Sequence, residues 1–111
     1  MIFVTGPLFA GKREYIQKAL DLSDEEFSRR AVWDVQELAD GAELEALADR
    51  LAEKEIVIAT EIGGGVVPVD AKERAHREAA GRLACLLAER ADTVLRICCG
   101  LPQILKGDWK C

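Results

Sequence analysis

With 111 residues, half of them hydrophobic, the chain is long enough for one packed domain and too short for a second core. Fifteen Lys and Arg against twenty Asp and Glu leave a formal net charge of −5, which opposes general nucleic-acid binding, since that calls for a basic face. No apolar run approaches the length of a membrane span and no basic-then-apolar leader opens the sequence, so a cytoplasmic protein with no membrane or nucleic-acid partner is expected.

Ile2-Phe3-Val4-Thr5 reads as a short buried strand, and the chain from Glu14 onward reads as helix. Between them lies Gly6-Pro7-Leu8-Phe9-Ala10-Gly11-Lys12, a loop bounded by two glycines with a lysine at the helix start. Tyr15, Ile16, Ala19 and Leu20 give this first helix an apolar stripe. Ser23 and Glu26 make a capping-box pair for a short second helix. Ala31-Val32-Trp33-Asp34 is a weak second strand ending in an acid. Leu44, Leu47, Ala48 and Leu51 follow the i, i+3, i+4, i+7 spacing of an amphipathic helix. Glu55-Ile56-Val57-Ile58-Ala59-Thr60 has the apolar run of a strand buried on both faces of a parallel sheet.

The stretch Thr60-Glu61-Ile62-Gly63-Gly64-Gly65-Val66-Val67-Pro68 follows, a backbone made to turn sharply or approach a ligand closely. Asp70, with Glu73 three positions on, opens the longest helix, whose Ala75, Ala79, Leu83, Leu86 and Leu87 are expected to face the core. Thr93 to Cys99 is the fourth strand, Gly100-Leu101-Pro102 a turn, and Gln103 to Lys106 an antiparallel fifth strand. Strands alternating with helices predict one α/β domain over residues 1–111. Its mainly parallel sheet is covered on both faces, a three-layer P-loop NTPase-like fold with a C-terminal antiparallel hairpin.

A strand, a Gly-x4-Gly-Lys loop and a helix start are the layout of a phosphate-binding P-loop. The loop amides and the helix N-terminus favour an anion, and Lys12 adds a mobile charge. Gly6, Gly11 and Lys12 are therefore the candidate phosphate-binding residues. A Ser or Thr is expected next, its hydroxyl ligating magnesium, but the chain has Arg13. Asp34 is the candidate acid for holding magnesium through water. Glu61 falls at a strand's carboxyl end, where ligands sit in open α/β sheets.

His76, the only histidine, has no Cys, Asp or Ser at a catalytic spacing and reads as a solvated helix residue. Arg74, Arg77 and Arg82 belong to a charged helix face with spacing that can also bring them to a phosphate. Cys85, Cys98, Cys99 and Cys111 show no metal-ligand spacing, and the adjacent pair is poorly placed for a disulfide, so buried apolar thiols are expected.

Taken together, the loop and the second half of the chain resemble the bifunctional adenosylcobinamide kinase / adenosylcobinamide-phosphate guanylyltransferase family of cobalamin biosynthesis. Gly6, Gly11 and Lys12 match that family's Gly-x4-Gly-Lys-Ser loop. Thr60 to Pro68 match its strand end Asn-Glu-Val-Gly-x-Gly-Ile-Val-Pro. Arg74-Ala75-His76-Arg77-Glu78-Ala79-Ala80-Gly81-Arg82 matches its helix pattern Arg-x-Phe-Arg-Asp-x-x-Gly-Arg, and Gly100 to Lys106 its closing turn and strand. The resemblance covers roughly Met1–Leu20 and Ile56–Lys106. Family members are longer, and the missing portion carries the histidine that becomes guanylylated. Here His76 stands at the family's phenylalanine position, and Arg13 replaces the loop serine.

The resemblance implies a nucleotide ligand (GTP or ATP), a corrinoid as a second partner, and a homo-oligomer. The expected function is a shortened relative of the cobinamide kinase, with guanylyl transfer lost and kinase activity weak or lost. Gly6, Gly11, Lys12, Arg13 and Glu61 would form its nucleotide site, with Asp34 as the metal candidate. The alternatives are a working ATP- or GTP-dependent kinase and a non-catalytic interaction subunit that keeps the fold.

Overall fold

A computed structural model of the chain describes residues 1–62 and 70–109. The elements run β1 (Ile2–Thr5), α1 (Lys12–Ala19), α2 (Asp24–Arg30), β2 (Ala31–Val32), a 3-10 turn (Val35–Leu38), α3 (Leu44–Leu51), β3 (Ile56–Ile58), α4 (Ala71–Arg90), β4 (Thr93–Cys98) and β5 (Leu101–Lys106). They form one five-stranded sheet in the order β2-β3-β1-β4-β5. β1 lies parallel to β3 and β4, β2 lies parallel to β3, and β5 alone is antiparallel.

The pleat sorts the central side chains into two cores. Phe3, Val57 and Val94 point to one face, where Leu47, Ala48 and Leu51 of α3 and Leu83 and Leu87 of α4 cover them. Val4, Ile56, Ile58, Leu95 and Ile97 point to the other, under Ile16 of α1, Leu22 and Phe27 of α2. Alternation by one residue serves both layers, because a strand buried on both faces needs no polar positions. The expected three-layer α/β class is the one observed.

The helix ends follow local chemistry. The Ser23 side chain accepts from the Glu26 amide and its hydroxyl reaches Glu26 Oε1 at 3.3 Å, the expected capping box. Asp70 caps α4 through the Lys72 amide. At the far end of α4, the Lys106 ammonium donates to the carbonyls of Ala88 and Glu89, groups a helix leaves unsatisfied.

Four expectations need correction. β2 stops at Val32, because Asp34 adopts a left-handed backbone (φ 57°) that no strand contains. The hairpin turn is Cys99-Gly100, at φ 54° and 72°, the pair of positive values a tight two-residue hairpin requires. β5 therefore starts at Leu101, and Pro102 sits within this edge strand, where a missing N–H is tolerated. Ala75 and Ala19 are exposed, and Ala80 takes the core position on α4. Cys85, Cys98 and Cys99 are exposed free thiols, since α4 turns Cys85 outward and the other two lie at the hairpin end; Cys111 lies outside the described residues.

Candidate phosphate-binding site

β1 delivers the chain to the carboxyl end of the sheet, between the ends of β3 and β4. Gly6 follows at φ 152°, and a Cβ there would collide with the Ile97 carbonyl of β4. Only glycine lets the loop leave the sheet this close to its neighbour. The Gly6 carbonyl accepts from the Glu61 amide at 2.8 Å, which ties the loop's start to the segment that follows β3. At the loop's other end the Gly100 amide donates to the Ala10 carbonyl at 2.9 Å, so the hairpin turn braces the loop from behind.

Gly11 enters α1 at φ 80° and makes no side-chain cap. The first-turn amides of α1 have no acceptor within the helix and face the same end of the sheet as the loop. Leu8 and Phe9 form the loop's tip, and Phe9 is 95% exposed.

Lys12 departs from the expected mobile charge. It is only 8% exposed, and its ammonium donates to the Pro7 carbonyl at 2.7 Å, across the base of the loop. Burial holds its pKa below the ordinary 10.5, partly offset by the nearby carboxylates of Asp34, Glu61 and Glu14. A desolvated cation beside open helix amides is a strong anion partner, because little water must be displaced to reach it.

A cleft of about 190 Å³ opens beside it, with Phe9, Lys12, Arg13, Trp33, Asp34 and Thr60 among its walls. The Arg13 guanidinium carbon lies 5.5 Å from the Trp33 ring centroid, and Trp33 also stacks on Phe27, their centroids 5.4 Å apart. Asp34 precedes the 3-10 turn without capping it, and its exposed carboxylate has no hydrogen bond or ion pair to another described residue. Among the described residues, no group of three or more His, Cys, Asp or Glu is placed to hold a metal ion.

The fold thus brings Gly11, Lys12, Arg13 and Asp34 to one cleft, with Gly6 at the loop's root. Glu61 lies beside it, its carboxylate gripped by Arg96 at 2.7 and 2.9 Å. That pairing raises the Arg96 pKa through the hydrogen bonds. Gly63 to Pro68 lie outside the described residues. His76 is not a free solvated side chain: its Nδ1 is 2.7 Å from Asp40 Oδ1, and it is 21% exposed. Arg82 pairs with Glu78 at 3.6 Å, and Arg77 and Arg82 line a separate groove between α3 and α4.

Sequence reasoning passed over Trp33, Gln36 and Arg96. Gln36 is buried, with its Oε1 accepting the Thr60 amide at 2.9 Å. Its sequence neighbours Asp34, Glu37 and Asp40 are as polar as it is, so nothing in the sequence marks it out.

The model of the cobinamide kinase / cobinamide phosphate guanyltransferase family matches residues 22–105. The matched span takes in the segment between Leu22 and Glu55 as well as the Glu61 strand end and α4, and it begins after the Gly6–Lys12 loop. No curated protein shows a significant match to the chain. With most of its length inside the family's pattern, this chain belongs to the cobinamide kinase / cobinamide phosphate guanyltransferase family.

Proposed function

We propose that the chain binds the phosphates of a purine nucleotide, GTP or ATP, at the Gly6–Lys12 loop, with guanylyl transfer lost and kinase activity weak or lost. The observation that carries the reading is Lys12, a buried ammonium anchored on Pro7 beside a cleft into which the first turn of α1 opens. The family's named reactions, a kinase step and a guanyl transfer, both draw on nucleotides, which agrees with an anion site here.

Two residues argue against efficient chemistry. Arg13 occupies the place of a metal-binding hydroxyl, so a magnesium ion has no ligand tying it to the loop. Arg13 instead supplies fixed positive charge at the mouth of the cleft, held there by Trp33. His76, the one histidine, is engaged by Asp40 and lines none of the cleft, which supports loss of a histidine-borne guanylyl intermediate.

A second reading, a working kinase, is favoured by Asp34 and Thr60. Both line the cleft, and a carboxylate without a hydrogen bond or ion pair among the described residues, beside a hydroxyl, suits a hard cation. A corrinoid as second ligand and self-association complete the proposal; exposed Leu101, Ile104 and Leu105 on β5 are the apolar surface that supports the latter.

Titration calorimetry with GTP and ATP, with and without magnesium, tests these readings. Metal-independent binding supports the first, magnesium-dependent binding with turnover supports the working kinase, and no binding leaves a non-catalytic interaction subunit.

A further inference from the structure

Arg96 is a charged residue inside β4, between Leu95 and Ile97, which are both fully buried in the sheet core. It stands in register with Thr5, the last residue of β1 before the loop, and the next residue, Ile97, presents the carbonyl that Gly6 passes. Arg96 is not among the residues that line the phosphate cleft. Its Nε and Nη2 instead donate to the two carboxylate oxygens of Glu61, at 2.7 and 2.9 Å. The Glu61 amide is fixed too, on the Gly6 carbonyl. Backbone and side chain together hold this carboxylate at the root of the loop.

The charges around Lys12 give that clamp a consequence. Burial is the largest influence on the ammonium and lowers its pKa; Asp34, Glu61 and Glu14 then raise it, and Arg13 lowers it. A carboxylate that favours a cation at this spot opposes an anion there. Three carboxylates against Lys12 and Arg13 make the surroundings of the loop negative, which works against a polyphosphate. Among the described residues, Glu61 is the one of the three held in an ion pair. Arg96 does not act on Lys12 directly, so whatever it does there passes through Glu61. Both partners are 36% exposed, too open for the pair to add much stability.

We propose that Arg96 is a positioning residue of the phosphate site: clamped on Glu61 from β4, it cancels the carboxylate charge that otherwise repels a polyphosphate from Lys12. The inference rests on the nucleotide reading of the Gly6–Lys12 loop. The forked guanidinium occupies both Glu61 oxygens, so Glu61 contributes charge to the site and Arg96 sets how much of it is felt.

The test is titration calorimetry of the full chain with inorganic tripolyphosphate and with GTP, without magnesium, at low and high salt. Arg96→Met should weaken both about three- to tenfold at low salt, the effect of one uncancelled charge across a solvated surface. The difference should shrink as salt rises. Adding Glu61→Gln to Arg96→Met should recover the affinity, and Arg96→Lys should keep most of it. NMR titration of the Lys12 side chain supplies a readout without nucleotide. Its pKa should rise in Arg96→Met, where Glu61 is unopposed, and return when Glu61→Gln is added.

Unchanged affinity in a folded Arg96→Met protein overturns the proposal. So does a loss that Glu61→Gln fails to recover, which would make Arg96 a direct phosphate contact or a purely structural residue. If Arg96→Met does not fold, Glu61→Gln alone decides: it leaves Arg96 as an unopposed cation, so polyphosphate affinity should rise, and a fall overturns the clamp. If the unmodified chain binds neither probe, the nucleotide reading fails. The Lys12 titration then judges the clamp by itself, and an unshifted Lys12 in Arg96→Met overturns it.

Discussion

Replacing Lys12 by Met keeps most of the buried stem and removes the charge. In the free protein the ammonium makes one hydrogen bond, to the Pro7 carbonyl, and is desolvated to 8% exposure. Removing it costs that bond and relieves the burial of a cation, so the net stability change should be small, within about 1 kcal/mol. A bound phosphate loses more. A hydrogen bond to a charged group contributes about 1.5–3 kcal/mol, which corresponds to a roughly 10- to 150-fold rise in Kd for GTP or ATP.

The same residue sets a pH signature. Burial lowers the Lys12 pKa below 10.5, so in the free fold the proton is lost earlier than from an ordinary lysine. Below that lowered pKa the ammonium is intact and phosphate binding should be strong; as pH rises through it, affinity should fall. For the free protein the sign is opposite: the unfolded chain holds this proton more tightly, so the Lys12 contribution to stability improves as pH rises toward 10.5. Calorimetric titrations at neutral and alkaline pH should show the loss of affinity in the unmodified chain and none of that pH dependence in Lys12→Met. Equal nucleotide affinity in the two proteins, with matching melting curves, would refute the phosphate-site reasoning.

Arg13→Ser restores a hydroxyl beside Lys12 and should create magnesium dependence of nucleotide affinity, with Asp34 available to complete the shell; equally strong dependence in the unmodified chain would place the metal elsewhere and favour the working kinase. Ile58→Ala should destabilise by about 2–5 kcal/mol in denaturant titration, since Ile58 is buried in the sheet core. Glu61→Gln should cost clearly less, because its partner Arg96 is a surface group; a loss as large as that of Ile58→Ala would make Glu61 a structural residue. Gly6→Ala should lower stability by about 1–3 kcal/mol or more and disturb nucleotide binding, because the new methyl must displace either the loop or β4; an unchanged melting curve would contradict the close approach to Ile97.

Much of the fold was legible because its signals are local and agree with one another. The apolar β3 run, the Ser23 capping box and the Leu47-Ala48-Leu51 face each name an element that the structure contains. The misreadings fall where one residue has two readings that only tertiary context decides. Cys99 looks like the end of a strand until Gly100 beside it shares a positive φ and the chain reverses one residue earlier than Pro102 suggests. Composition marks cysteine as a core residue, but in the structure three of the four are at the surface. His76 has no Cys, Asp or Ser at a catalytic spacing along the chain, yet the segment after the 3-10 turn brings Asp40 to it across 36 positions.

The site was legible as a motif but not as an environment. Gly6, Gly11 and Lys12 have the spacing of a phosphate loop; glycine tolerates the approach to Ile97, and the lysine at the helix start stands beside the open amides. What spacing cannot convey is which side chains of other strands close around that loop. Trp33 holds Arg13 from β2's end, Gln36 holds the Thr60 amide from the 3-10 turn, and Arg96 holds Glu61 from β4. Each of these contacts joins residues at least 20 positions apart, and each removes a freedom that the isolated motif appears to have. Arg13 is the clearest case. From sequence it is a missing hydroxyl; in the fold it is a cation seated on an indole that is itself stacked on Phe27. Moving that guanidinium onto a phosphate means leaving Trp33, so nucleotide binding and the environment of this tryptophan are coupled through a single side chain.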